Sequence, residues 1–140
     1  MKIGKISIQY AESDDYLWLK EHDVHISEKI LVNKIKNMEV FVVKNDCKII
    51  GWLRYNLFWD SIPFMNMICV LEDYWKMGIG KNLVKYWENV MIKNGYKNVL
   101  TSTQSNEEAQ HFYRKLGYKE IGGLKYFDDP YEIIFQKVLI

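Results

Sequence analysis

Proline, cysteine and long apolar runs are all scarce in this chain. Its two prolines, Pro63 and Pro130, stand alone among 140 residues with no Ser/Gly-rich run beside them. No linker is therefore expected, and residues 1–140 are read as a single domain. The two cysteines, Cys47 and Cys69, form no CxxC and no framework spacing, which excludes a disulfide scaffold. Each is read as a reduced, buried thiol of a cytoplasmic protein. The longest apolar stretches, such as Met67–Leu71, are far too short to cross a bilayer. The opening MKIGKISIQY has no apolar core of the kind a signal peptide carries. One-sided charge is also missing. Nineteen basic and 18 acidic residues leave a net charge of +1, with Lys and Arg scattered along the chain, so neither nucleic acid nor a membrane is an expected partner.

What the chain does have is apolar and aromatic content. Hydrophobic residues make up 49% and aromatics 15%, enough for one sizeable core and too much for a disordered chain. No internal repeat or low-complexity block interrupts it.

The hydrophobic pattern predicts a strand over 3–9, where Ile6 and Ile8 are in phase. Ser13-Asp14-Asp15 offers cap chemistry to a helix carrying Leu17, Trp18 and Leu19. A second helix is predicted from Ser27 to Asn37. Val40–Lys44 and Lys48–Leu57 read as strands joined at Asn45-Asp46, and Ser61-Ile62-Pro63 as the next turn. Phe64–Leu71 is nearly continuous in apolar residues, the signature of a strand buried on both faces. The period then changes. Leu83, Val84, Trp87, Val90 and Met91 recur at helical spacing, predicting a helix over 78–93 that ends at Asn94-Gly95. A short strand, Val99–Thr103, precedes Ser105-x-x-Glu108, which reads as a capping box for a helix bearing Ala109, Phe112, Tyr113 and Leu116. Strands near Tyr118–Gly122 and Tyr131–Val138 complete the order β-α-α-β-β-β-α-β-α-β-β. Consecutive strands followed by two strand–helix crossovers imply an α/β fold with a mixed sheet and helices on its faces.

The stretch from Ile68 to Lys81 holds the chemistry. A strand ends, a loop turns, and a helix begins at Gly78-Ile79-Gly80. The first turn of a helix has unpaired N–H donors and a partial positive charge, and glycines let a ligand reach them. That is a pocket for phosphate or pyrophosphate. A dinucleotide fingerprint would need glycine at position 83, which is Leu83. A Walker loop would need glycine at position 75 and Ser or Thr at position 82, which are Trp75 and Asn82. A tight turn with no ligand remains the alternative on these residues alone.

Trp75-Lys76-Met77-Gly78-Ile79-Gly80 resembles the acyl-CoA-binding motif of the GNAT superfamily of N-acetyltransferases, [R/Q]-x-x-G-x-[G/A], departing from it at Trp75. Downstream, the segment from Asn106 through Ala109, Phe112 and Tyr113 to Leu116-Gly117-Tyr118 is similar to that family's N-x-x-A-x-x-F-Y-x-K-x-G-F/Y. The resemblance follows the whole chain in element order and is sharp over about residues 64–123. It implies a mostly antiparallel sheet of about seven strands with a splayed parallel pair, here Phe64–Leu71 and Val99–Thr103. It implies acetyl-CoA as co-substrate and no metal. Strand-end backbone at Ile68, Cys69 and Val70 would pair with the pantetheine amides. Amides from about Lys76 through Met77, Gly78, Ile79 and Gly80 to Lys81 would hold the pyrophosphate, with Lys76 and Lys81 adding charge and Trp75 forming a modified rim. Asn106 would contact the pantetheine arm, and Phe112 and Tyr113 would lie beside the thioester.

The chemistry so implied is direct acetyl transfer to a primary amine. Tyr113 stands in the position of the family's general acid, although its spacing from Ala109 and Leu116 also suits a core tyrosine. Backbone N–H near Val70 would stabilise the oxyanion. No base is dictated. Glu72 and Asp73 are candidates through a water, and a solvated loop charge is the alternative reading of Glu72. Trp52, Tyr55, Phe58 and Trp59 read as core or as an aromatic acceptor wall, with Asp60 a reader of a cationic acceptor. His22, His25 and His111 have no metal-ligand spacing. The acceptor class stays open: a polyamine, an aminoglycoside, an amino acid, or a protein lysine or N-terminus. The resemblance also suggests a homodimer through the C-terminal strands. Two rival readings stand beside the enzyme. One is a non-catalytic acyl-CoA-binding or sensing module on the same fold, motivated by Trp75 and the missing base. The other is a nucleotide-binding or purely structural α/β domain.

Overall fold

The computed structural model describes residues 3–139. Its elements run β1 (Ile6–Tyr10), α1 (Tyr16–His22), α2 (Glu28–Lys36), β2 (Val40–Asn45), β3 (Lys48–Phe58), β4 (Ile62–Val70), α3 (Ile79–Lys93), β5 (Asn98–Gln104), α4 (Ala109–Lys115), β6 (Lys119–Leu124) and β7 (Glu132–Val138), with short 3₁₀ turns at Ser13–Asp15 and Glu72–Tyr74. The strands form one mixed sheet in the order β1-β2-β3-β4-β5-β7-β6. The pair β4–β5 is parallel and registers only Phe64 with Leu100 and Met65 with Thr101. No helix among the described residues is long and apolar enough to cross a membrane.

The chain forms two compact units. One comprises the chain up to Tyr55 together with Met67–Trp87; the other comprises Asn56–Asn66 together with the chain from Glu88 onward. In the first, the two-residue period of β2 sorts its side chains. Val40 and Val42 join Leu19 of α1, Leu31 of α2 and Trp52 of β3 in one buried cluster. Phe41 faces the other way, stacked with Tyr55 at 6.3 Å between ring centroids and meeting Tyr86 of α3 edge-on. Trp87, fully buried, lies against Tyr55. A buried ion pair fixes the segment after α1. Asp23 accepts from Arg54 Nε at 2.7 Å and from Trp52 Nε1 at 3.2 Å. In the second unit Tyr113 of α4 packs on Tyr118 and Phe135. Glu88, buried, accepts from the Tyr118 hydroxyl at 2.7 Å and from Lys137 Nζ at 2.9 Å.

Several expectations are corrected by this packing. Strand β4 is not buried on both faces, because Asn66 is exposed and Met67–Val70 are only half-buried. Cys47 is exposed rather than buried, and Cys69 is half-buried. Cys47 sits in the two-residue β2–β3 turn, which falls at Asp46-Cys47 because Asn45 still pairs with Lys48. Asn45 and Asp46 spend their side-chain oxygens on the Gly4 and Lys5 amides. The β3–β4 turn is Trp59-Asp60, both left-handed (φ 55° and 59°), while Pro63 lies inside β4. Ser105 makes no cap on α4. Its carbonyl instead accepts from Gln110 Nε2 at 2.8 Å.

Candidate functional site

The first unit carries the segment between β4 and α3. Gly51 on β3 lets β4 pass close: a Cβ there would come within 2.8 Å of the Cys69 carbonyl oxygen. Past the strand, Leu71 N–H donates to Ile50 O at 2.8 Å. The 3₁₀ turn then buries Tyr74, whose hydroxyl accepts from Asn45 Nδ2. Trp75 follows, exposed at the surface, with its indole N–H donating to Val70 O at 2.6 Å. The one departure from the expected motif is thus a brace between the strand end and the turn. It engages the Val70 carbonyl, which belongs to the strand-end backbone expected to pair with pantetheine.

Lys76 (φ 64°) and Gly78 (φ 78°) both adopt the left-handed conformation. This irregular backbone delivers the chain into α3, whose buried Ile79, Leu83 and Val84 anchor the helix. The Asn82 N–H closes the first turn on Gly78 O at 3.0 Å. Among the described residues, the amides of Lys76, Met77, Gly78, Ile79, Gly80 and Lys81 find no acceptor. Residues 76–78 and 81 are exposed and Gly80 is half-buried. No acidic residue occupies the first turn of this 15-residue helix. Unpaired donors, the helix dipole and two lysines together favour an anion such as phosphate. Glu72 and Asp73 are exposed just before this turn. The thiol of Cys69 is pushed up by burial and by the nearby Asp23 charge, so it stays protonated near neutral pH and is a poor nucleophile.

The second unit holds the other predicted residues. Tyr113 is 5% exposed, and burial is the main cause that raises its phenol to about 12; a hydrogen bond with Thr101 opposes this, while Glu107 and Glu132 add to it. Thr101 in turn donates to Met65 O at 3.0 Å. Phe112 is half-buried with its ring 5.5 Å from that of Tyr113. Asn106 is exposed in the turn before α4. The aromatic cluster divides: Trp52 and Tyr55 are core of the first unit, whereas Phe58 and Trp59, 37% and 77% exposed, lie in the second with Asp60. The sequence reading missed Glu132 and Asn56. Glu132, the first residue of β7, is half-buried and near enough to Tyr113 to influence its titration. Asn56 accepts from Asn66 Nδ2 at 2.8 Å.

Comparison with known proteins shows the family. A family model described as the acetyltransferase (GNAT) family matches residues 6–118. An N-alpha-acetyltransferase of Sulfurisphaera tokodaii is 28% identical over 111 residues, which is 69% of this chain and 66% of that protein. The crystal structure of Ard1 from Thermoplasma volcanium superposes with a TM-score of 0.84 at 14% identity, covering 96% of this chain and 98% of that one. Arabidopsis thaliana Naa50, solved in complex with the bisubstrate analogue CoA-Ac-MVNAL, superposes with a TM-score of 0.77 at 17% identity over 94% and 97% of the two chains. At such identities the two structures speak for the fold alone.

Proposed function

From its membership of the acetyltransferase (GNAT) family, we propose that this chain is an acetyl-CoA-dependent N-acyltransferase that moves an acetyl group directly to a primary amine of a small molecule or peptide. The observation that carries this reading is the run of unpartnered amides from Lys76 to Lys81 at the start of α3, flanked by two lysines. These donors fit a pyrophosphate, and the space beside Gly78 is open, since a Cβ built there would meet nothing within 4 Å.

The coenzyme supplies a thioester whose carbonyl carbon the amine attacks, with the thiolate as leaving group. The chain's own residues do the rest. The amides around Gly78 and Gly80 bind the diphosphate and, with Ile68 and Cys69 of the strand end and Asn106, orient the pantetheine arm. Tyr113, held neutral by burial, keeps a proton at its hydroxyl across the physiological range and gives it to the leaving sulfur. The amine's proton passes through water to the exposed Glu72. Phe112 and Tyr113 exclude water from the reacting carbon.

The test measures thermal stability with acetyl-CoA, using ATP and NAD as controls, followed by thiol release in the presence of amines. Acetyl-CoA at a hundred times its dissociation constant should add about 2.7 kcal/mol. Stabilisation by ATP with none from acetyl-CoA would overturn the reading. A second reading, a non-catalytic acyl-CoA sensor, is favoured by the Trp75 brace on Val70. Tight acetyl-CoA binding with no thiol release against a broad amine panel would select it.

A further inference from the structure

Two hollows on one strand face of the second unit have no role in the reading above. The period of two sets this face apart from the one that Tyr113 packs on. It carries Phe64 and Asn66 of β4, Leu100 and Ser102 of β5, and Ile134 and Glu132 of β7, whereas Met65, Thr101, Ile133 and Phe135 point the other way and are buried. The first hollow, about 220 Å³, has a polar end made of Asn56, Asn66, Ser102 and Glu132. The second, about 280 Å³, is lined by apolar side chains including Trp59, Ile62, Leu100 and Ile121. Phe58, Phe64 and Ile134 line both, so the two adjoin through a shared apolar wall.

We propose that these hollows take the acceptor, with Glu132 as the counter-charge of its ammonium group and the Phe58–Phe64–Ile134 wall as the seat of an apolar arm on the amine. This rests on the acyltransferase reading and names the substrate class for it: a single primary amine carried on an aliphatic or aromatic body. Three observations carry it. Glu132 is the sole charged side chain lining either hollow among the described residues, and it has no ion pair or hydrogen bond there. One half-buried carboxylate beside apolar walls matches one cation with a greasy substituent. A polyamine or an aminoglycoside would call for several carboxylates, and these hollows are lined by one. Asn66 already donates to Asn56 Oδ1, which turns its own side-chain oxygen into a free acceptor for a second ammonium hydrogen. Finally, Glu132 is among the charges that raise the Tyr113 phenol, which couples this carboxylate electrostatically to the proposed acid although Tyr113 packs on the other strand face.

The experiment uses the full chain. Acetyl-CoA affinity is measured first by calorimetry. Thiol release is then followed with 2-phenylethylamine and isoamylamine on one side and putrescine and spermidine on the other. The apolar amines are expected to show kcat/KM at least about tenfold above the polyamines. Glu132→Gln should raise KM for 2-phenylethylamine about tenfold with acetyl-CoA affinity unchanged. Ile121→Asn changes an exposed residue without adding charge; it should cut kcat/KM for the apolar amines several-fold with acetyl-CoA affinity unchanged. A preference for polyamines, or a KM indifferent to Glu132→Gln, would overturn the assignment. Acetyl-CoA binding without transfer to any of the four amines would also overturn it while leaving the coenzyme reading intact. Failure to bind acetyl-CoA would instead remove the acyltransferase reading beneath it.

Discussion

Replacing Gly78 by alanine separates the cost of backbone strain from the cost to a ligand. Gly78 has φ +78°, and a Cβ built on it meets no atom within 4 Å. The methyl group therefore creates no clash in the free protein, and its effect on stability is the penalty for an L-residue in the left-handed region, about 1–2 kcal/mol. For a chain of this size that lowers Tm by roughly 3–7 °C. Gly95, at the far end of α3, provides a matched control, with φ +92° and equally open space around its would-be Cβ. Gly95→Ala should lose the same stability. The two variants should part only in binding, because the new methyl at position 78 fills open space beside the unpaired amides that are proposed to hold the diphosphate. Displacing one or two charge-assisted hydrogen bonds, worth about 1.5–3 kcal/mol each, weakens acetyl-CoA binding by roughly tenfold or more. Melting curves measure the first quantity and titration calorimetry the second. Wild-type affinity in Gly78→Ala, or an equal loss of affinity in Gly95→Ala, would refute the placement of the diphosphate.

Three further outcomes follow from other parts of the molecule. Tyr113→Phe should lower turnover by roughly 10²–10⁴ with acetyl-CoA affinity preserved; unchanged turnover in a steady-state assay would leave Tyr113 as a core residue only. Stability should fall in alkali: the Tyr113 phenol titrates near 10 in the unfolded chain and at about 12 when folded, so unfolding releases a proton across that window. The burial contribution is whole below pH 10 and is lost as pH rises towards 12, by roughly 2–3 kcal/mol. The burial of Tyr118 acts in the same direction, and urea midpoints for wild type and Tyr113→Phe against pH should show the smaller decline in the variant. Asp23→Ala strands Arg54 in a buried setting and removes the acceptor of Trp52. It should destabilise the protein by about 3–5 kcal/mol in urea unfolding, and a loss under 1 kcal/mol would contradict the burial argument.

Element order was legible because periodicity and local chemistry coincide along most of the chain. Helix α2 begins where Ser27 caps it, its Oγ accepting from Ile30 N–H, and α3 follows the apolar spacing of Leu83, Val84, Trp87 and Met91. Where sequence reasoning failed, a tertiary partner outbid a local signal. The apolar run of β4 suggested full burial, yet its parallel ladder registers two pairs and Met67–Val70 stay half-exposed. Ser105-x-x-Glu108 has the composition of a cap, but the Ser105 amide is claimed by Tyr131 O and its carbonyl by Gln110. At the site, the glycines and their neighbours were readable because a helix start with φ-permissive residues is a local feature. Trp75 was visible only as a departure, since its brace on Val70 spans five residues through a side chain. Glu132 was invisible: an acid opening a strand reads as a solvated charge, and only the fold sets it beside Asn66, Ser102 and Phe64.

The amides entering α3 are proposed to clasp the diphosphate of coenzyme A. Titrating ¹⁵N-labelled protein with acetyl-CoA and following each backbone amide tests it most directly. Lys76–Lys81 should show large, saturable shifts that coenzyme A reproduces and that putrescine alone does not. Saturation of the coenzyme with these six amides unmoved, while others shift, would contradict it.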